Sequence, residues 1–203
     1  MAGSSGLTLE DRFGLVLGNC PEDVEILYAA WWAGLAAGPV NSRLHPEEAA
    51  FILGDSGARV CFITSDLAAS LGPLQSLAPG LAQVIDVASP DYQGLFRDGM
   101  NTEPHPTIPE DAAWLFYTSG TTGRPKGVMI THLNIFTMTM CYFADVDQIA
   151  PGDCILHAAP LSHGSGIYNF PHVLRAANQA IPEGGHFDPA EIFALCRRWQ
   201  GMA

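Results

Sequence analysis

Short, continuously apolar runs alternate with helix-like segments along the whole sequence. The apolar runs are typical of strands that are buried on both faces, as in parallel sheets covered by helices. The alternation therefore predicts an α/β fold, with alternating βα units that form sheets flanked by helices. The predicted strands cover 13–17, 59–64, 83–87, 113–117, 128–131, 155–158 and 179–181, and the predicted helices cover 21–38, 46–54, 132–144, 168–174 and 189–199.

The charge balance of the 203 residues excludes two classes of partner. Nine basic residues face 21 acidic ones, which gives a net charge of −12, and the basic residues are scattered. Nucleic acids and membrane surfaces need clustered Lys and Arg, so we expect neither as a partner.

The five cysteines are widely spaced and form no CxxC pair, so they predict neither a zinc knuckle nor a redox motif. All but Cys20 lie in apolar or helical surroundings, and we expect small buried thiols in a reducing cytoplasm. The apolar segment 24–40 contains Glu25 and Gly34 and is too short to span a bilayer, so it predicts a buried helix.

The stretch from Tyr117 to Gly127 reads YTSGTTGRPKG and contains Lys126, the only lysine in the sequence. Hydroxyl side chains, exposed backbone N–H groups at glycines and one mobile cation suit a polyphosphate. The spacing matches neither the common P-loop, G-x-x-x-x-G-K-[ST], nor the dinucleotide motif G-x-G-x-x-G. A Gly/Thr-rich hairpin loop without a ligand is the structural alternative.

The string YTSGTTGRPKGV resembles the phosphate-binding signature of the adenylate-forming enzymes. This superfamily includes acyl-CoA synthetases, peptide synthetase adenylation domains and firefly-type luciferases. The stretch from Gly14 to Val60 resembles the early part of the family's large N-terminal domain, and HAAPLSHGSG (157–166) resembles its next motif. The resemblance implies that a carboxylate attacks the α-phosphate of Mg-ATP, and that a thiol, often that of coenzyme A, then displaces AMP.

The resemblance also implies roles for individual residues. The residues that would surround the ATP phosphates are Thr118, Ser119, Gly120, Thr121, Thr122 and Gly123, and Lys126 would offset the phosphate charge. His163, Gly164 and Ser165 would line the carboxylate pocket, although a lone histidine is otherwise often a structural residue. The implied cofactors and cosubstrates are ATP, Mg²⁺ and coenzyme A, and the implied partner is a small carboxylic acid.

Two other chemistries are not supported by the spacing. Ser165 lies in Gly-Ser-Gly, which is not the G-x-S-x-G of a serine nucleophile. His157, His163 and His172 lack the close helical spacing of metal ligands, so no protein metal site is predicted. No certain catalytic residue is identified.

Family members are more than twice as long as this sequence. An aromatic-Gly-x-Thr-Glu motif, a ribose-binding Thr-Gly-Asp and a C-terminal domain with a catalytic lysine do not occur before Ala203. We therefore expect residues 1–6 to be a tag or disordered start and 7–203 to be a partial AMP-binding domain, with a surface connection near 88–110 and without the C-terminal domain.

The expected function is that of the N-terminal fragment of a carboxylic acid–CoA ligase, of the kind used in fatty acid metabolism, inactive when isolated. A peptide synthetase adenylation fragment and a non-catalytic phosphate-binding paralogue are the alternatives. A homo-oligomer is compatible with the sequence.

Overall fold

The computed structural model describes residues 12–96, 103–118, 123–185, 187–199 and 202. The chain divides into two compact units. The first comprises residues 1–18 and 22–132, and the second comprises residues 19–21 and 133–203. The predicted α/β class is confirmed in the described residues, since strands and helices alternate in both units.

The first unit contains a six-stranded sheet of order β4-β3-β1-β2-β5-β6. The first five of its strands along the chain pair in parallel, and β6 is antiparallel to β5 at one edge. The strands are β1 (Arg12–Val16), β2 (Ala36–Pro39), β3 (Ala58–Ile63), β4 (Gln83–Asp86), β5 (Ala112–Thr118) and β6 (Lys126–Thr131). The helices are α1 (Pro21–Trp32, which begins at the boundary between the units), α2 (Pro46–Asp55), α3 (Ser65–Leu71), α4 (Leu74–Leu77) and α5 (Pro90–Gln93).

The core of this unit forms because its central strands are apolar on both faces. Leu15 and Val16 of β1 and Ile63 of β3 are almost completely buried. Helix α2 packs closely on β1, where a Cβ atom added to Gly14 would lie only 2.1 Å from Leu53 Cδ2. A glycine at this position therefore lets the helix approach the sheet.

The prediction of one helix over 21–38 is wrong at its C-terminal end. Helix α1 ends at Trp32, and β2 follows at Ala36–Pro39. Gly34 has φ = 72°, and the amides of Gly34 and Leu35 donate to the carbonyls of Trp31 and Ala30 over 3.0 and 2.9 Å. These two bonds form a Schellman motif, which terminates a helix at a left-handed glycine.

The connection predicted near 88–110 contains a short helix, α5. Ser89 caps it by accepting a hydrogen bond from the Tyr92 amide over 3.3 Å. Tyr92 is buried and donates from its hydroxyl to Glu25 Oε2 over 3.1 Å. This part of the connection is therefore anchored to α1, while 97–102 lie outside the described residues.

The second unit contains a two-stranded parallel sheet, β7 (Cys154–Leu156) with β8 (Asn178–Ala180). Its helices are α6 (His132–Asp145, which starts at the boundary), α7 (Gly164–Leu174) and α8 (Pro189–Arg198). Phe170 and His172 of α7 are buried, and α7 contacts both strands. Helix α8 has no buried residue, and its Phe193 is 64% exposed.

The cysteines are only partly as expected. Cys61 and Cys154 are buried, but Cys141 and Cys196 are exposed on helices α6 and α8. Helical surroundings alone did not indicate burial, because both residues lie on outward faces of helices.

Within the part of the chain that the structure describes, no helix is long and apolar enough to cross a membrane.

Candidate functional site

The Gly/Thr-rich loop connects the two strands of a β-hairpin in the first unit. Strand β5 ends at Thr118 and β6 begins at Lys126, and these two residues are cross-strand partners. Directly opposed residues of an antiparallel pair project to the same face of the sheet. Thr118 and Lys126 are both exposed, so a hydroxyl and an ammonium group are presented to solvent side by side.

Of the residues predicted to surround phosphates, Thr118, Gly123 and Lys126 are described by the structure. Ser119, Gly120, Thr121 and Thr122 lie outside the described residues. Gly123 has φ = 86°, in the left-handed region that L side chains rarely adopt. A side chain at this position would be strained, although the space around a Cβ atom is open.

The loop leaves the sheet at the carboxyl end of β5. Because β2 and β5 are parallel, this end lies at the same edge as the carboxyl ends of the other parallel strands. In open α/β sheets, ligands bind at this edge. The position of the loop therefore fits a ligand-binding role.

The residues predicted to line the acid pocket lie together at the start of α7 in the second unit. His163 is the N-cap residue, and Gly164 and Ser165 are the first two residues of the helix. The first amides of a helix have no carbonyl partner within it and favour a negative group nearby. His163 is half-buried, and its Nδ1 lies 3.1 Å from Ser162 Oγ.

A buried histidine that the sequence did not single out for this role holds Ser165 in place. His157 is completely buried, with Nδ1 at 2.8 Å from Ser165 Oγ and Nε2 at 2.9 Å from Gln179 Oε1. Burial is the main cause that lowers the pKa of His157; the hydrogen bond to Gln179 opposes this effect, and the nearby His172 adds to it. The imidazole is therefore neutral near pH 7. It accepts from the Ser165 hydroxyl at Nδ1 and donates to Gln179 at Nε2.

Asn19 is a second residue that sequence reasoning missed. Its Nδ2 donates to the carbonyls of His157 and Ala159 over 3.0 and 2.7 Å, and its Oδ1 accepts from the Leu161 amide over 2.9 Å. One amide side chain thus fixes the segment that leads into α7. No local pattern around Asn19 signals this role, because its partners are about 140 residues away.

An open depression of about 330 Å³ lies between α6 and α7 in the second unit. Its wall is mainly apolar and aromatic. The lining residues are Met138, Cys141, Tyr142, Asp145, Val146, Gly164, Ile167 and Tyr168. Such a wall suits the apolar body of an organic molecule.

Among the described residues, no group of three or more His, Cys, Asp or Glu side chains is placed to hold a metal ion.

The family model described as "AMP-binding enzyme" matches residues 2–201. The chain is 32% identical over 196 residues to feruloyl-CoA synthase of Amycolatopsis sp., an alignment that covers 94% of this chain and 37% of that protein. It is 30% identical over 160 residues to long-chain-fatty-acid–CoA ligase FadD13 of Mycobacterium tuberculosis, an alignment that covers 78% of this chain and 32% of that protein. The inhibitor-bound N-terminal domain of FACL13 from the same organism superposes with a TM-score of 0.79 at 25% identity, covering 91% of this chain and 46% of that one.

The chain spans about a third of the length of these two curated relatives. The similarity nevertheless extends over nearly all of this chain, and it agrees with the α/β fold and with the resemblance drawn from the loop and the HAAPLSHGSG string. The chain therefore belongs to the AMP-binding enzyme family.

Proposed function

We propose that the chain is the N-terminal part of an ATP-dependent carboxylic acid–CoA ligase. The observation that carries this proposal is the hairpin that sets Thr118 beside Lys126 at the carboxyl edge of the sheet, in a chain of the AMP-binding family. The names of the two relatives, a feruloyl-CoA synthase and a fatty-acid–CoA ligase, support coenzyme A as the acceptor.

In the first step, a carboxylate oxygen attacks the α-phosphorus of Mg-ATP, and the bond to the bridging oxygen of pyrophosphate breaks. Negative charge develops on the departing pyrophosphate. The Lys126 ammonium group stabilises that charge, while the Thr118 hydroxyl and the glycine-rich backbone donate hydrogen bonds to phosphate oxygens. Mg²⁺ enters as part of the nucleotide substrate.

In the second step, the thiolate of coenzyme A attacks the acyl carbonyl, and AMP leaves as the carbon–oxygen bond of the mixed anhydride breaks. The acid is bound by the start of α7, where the first-turn amides favour its carboxylate and the depression beside Gly164 accepts its apolar body. The neutral His157 keeps the Ser165 hydroxyl oriented.

The 203-residue chain alone is inactive in adenylation, in this proposal, because it spans 37% and 32% of the two relatives. We place the activity in the cytoplasm, where thiols such as those of Cys61, Cys141, Cys154 and Cys196 stay reduced.

The test uses the protein translated from the complete reading frame. It is incubated with ATP, Mg²⁺, coenzyme A and a panel of aromatic acids and fatty acids of increasing length, and AMP and acyl-CoA are quantified by mass spectrometry. We expect both products in equal amounts with at least one acid. AMP formation that needs a carrier-protein thiol instead of coenzyme A would identify a peptide synthetase type of enzyme, and no acid-dependent AMP at all would contradict the proposal.

A further inference from the structure

Helix α2 contacts both ends of the Gly/Thr-rich loop. We propose that Asp55 and Phe51 of this helix are positioning residues that fix the two ends of the loop, through Tyr117 before it and Arg124 after it. The inference rests on the proposed function of the loop in phosphate binding. It assigns to α2 a role that neither residue's position in the sequence suggests.

The first contact joins β5 to the end of α2. The Tyr117 hydroxyl donates a 2.7 Å hydrogen bond to Asp55 Oδ2, across 62 positions of sequence. Tyr117 is buried and is part of the hydrophobic core around α2. Burial and the adjacent Asp55 carboxylate both raise the pKa of Tyr117, so its hydroxyl stays protonated and remains a donor.

Gly127 makes room for this contact. It is the cross-strand partner of Tyr117, and a Cβ atom at position 127 would lie 2.9 Å from Tyr117 Cζ and 3.1 Å from its hydroxyl oxygen. The tyrosine ring therefore lies close to the glycine, and a larger residue at position 127 would displace the ring. The glycine after Lys126 thus has a packing role that orients the residue before the loop.

The second contact joins the residue after Gly123 to the middle of α2. The guanidinium carbon of Arg124 lies 5.7 Å from the centroid of the Phe51 ring, within the range of a cation–π interaction. Phe51 is half-buried and packs against the hydrophobic core around α2, so the core fixes the position of its ring. Arg124 is exposed, so its guanidinium contacts the Phe51 ring at the protein surface.

Helix α2 itself is firmly placed. Ile52 and Leu53 are almost completely buried, and the His45 amide donates to Glu48 Oε2 over 3.1 Å at the helix start. A fixed helix that contacts Tyr117 through Asp55 and Arg124 through Phe51 therefore sets the position of both ends of the loop.

The first test measures amide hydrogen exchange in the 203-residue chain. Tyr117→Phe removes only the hydroxyl, and Arg124→Gln removes only the cation. We expect exchange at Gly123–Gly127 to rise about 3- to 10-fold in each variant, the equivalent of one net hydrogen bond. Unchanged protection at these amides would overturn the inference, whether or not the protein is a ligase.

Two matched controls distinguish a local effect from general destabilisation. Tyr92→Phe removes a similar tyrosine–carboxylate bond, to Glu25, and Arg59→Gln removes an exposed cation of the same unit. Tyr92 lies on α5 and Arg59 on β3, and we expect exchange at Gly123–Gly127 to stay as in the parent chain. A rise as large as in the loop variants would contradict the positioning role.

The second test measures steady-state kinetics in the protein from the complete reading frame. We expect Phe51→Leu and Arg124→Gln to raise KM for ATP about 3- to 10-fold with little change in KM for the acid. Phe51→Tyr keeps an aromatic ring, and we expect its KM for ATP to equal that of the parent enzyme. If the parent enzyme is active and Lys126→Ala inactivates it, but the Phe51 variants equal the parent, the positioning role fails while the proposed function stands. If the parent enzyme shows no adenylation, the proposed function fails and the exchange measurement still decides the positioning role.

Discussion

Ser165 donates its hydroxyl hydrogen to His157 Nδ1 over 2.8 Å, at the point where the segment from β7 turns into α7. The other ring nitrogen, Nε2, donates to Gln179 Oε1 over 2.9 Å. Both polar atoms of a completely buried imidazole are therefore satisfied, and the ring links the start of α7 to β8. This link determines how the predicted acid-binding residues are presented.

Replacement of Ser165 by alanine leaves Nδ1 of the buried His157 without its donor. We expect a loss of about 1–3 kcal/mol of unfolding free energy, the usual cost of an unsatisfied buried polar group. Ser70→Ala is the control, because its hydroxyl bonds a helix carbonyl at an exposed position. Denaturant titration of both variants checks this, and equal stability of the Ser165 variant and the parent chain would argue against the link.

Asp23 is a buried carboxyl in the first turn of α1, and burial raises its pKa to about 7 from the ordinary 3.8. Between these two values the unfolded chain has an ionised carboxylate while the folded chain keeps the proton. Folding stability therefore falls as pH rises through this window, and the loss is complete above pH 7.

The variant Asp23→Asn removes this dependence. We expect it to be more stable than the parent chain by about 2–4 kcal/mol at pH 8, and by much less near pH 4, because one pKa unit corresponds to about 1.4 kcal/mol. Thermal unfolding at a series of pH values measures the difference. Asp66→Asn, at an exposed first-turn position of α3, is the control, and a stability gain that does not vary with pH would contradict the expectation.

The thiols differ in burial, and we therefore expect them to differ in reactivity. Burial raises the pKa of Cys61 to about 12 and also raises that of Cys154, whereas Cys141 and Cys196 are exposed. Because the thiolate is the nucleophile, we expect alkylation at pH 8 to label Cys141 and Cys196 within minutes and to spare Cys61 and Cys154 until denaturant is added. Peptide mapping by mass spectrometry reads out each site, and early labelling of Cys61 would be inconsistent with the described core.

Gly164 offers a test of the acid pocket that leaves the fold intact. A Cβ atom added there meets no atom within 4 Å, so Gly164→Ala fits the structure. In the enzyme from the complete reading frame we expect KM for the acid to rise about 10-fold, because the methyl group intrudes where the carboxylate binds, with KM for ATP unchanged. Gly80→Ala, which also meets no atom within 4 Å, is the control, and identical kinetics for both variants would exclude Gly164 from the pocket.

The sequence predicted most strands because they contain consecutive apolar side chains, as in 60–63. It missed β2, whose residues Ala36–Pro39 are small and have weak strand propensity, so that only its place between β1 and β5 makes it a strand. The sequence shows a glycine at position 34, but it does not show that this glycine adopts the left-handed conformation that ends α1.

The loop was identifiable because its residues are contiguous and Lys126 is the only lysine. The supporting contacts were not identifiable, since Asn19, Gln179 and Asp55 meet their partners across 22 to 142 positions of sequence. Such pairings depend on how the sheet brings distant segments together, and no local pattern encodes them.

Carboxylate-dependent exchange of labelled pyrophosphate into ATP tests the central claim most directly. In the protein from the complete reading frame, we expect exchange with at least one organic acid. We expect its loss by about 10²-fold or more in Lys126→Ala, because one charged group that stabilises the developing pyrophosphate is removed. Arg59→Gln should exchange like the parent enzyme. Exchange that is undetectable with every acid, or that persists unchanged in Lys126→Ala, would contradict the assignment of this loop to an adenylate-forming ligase.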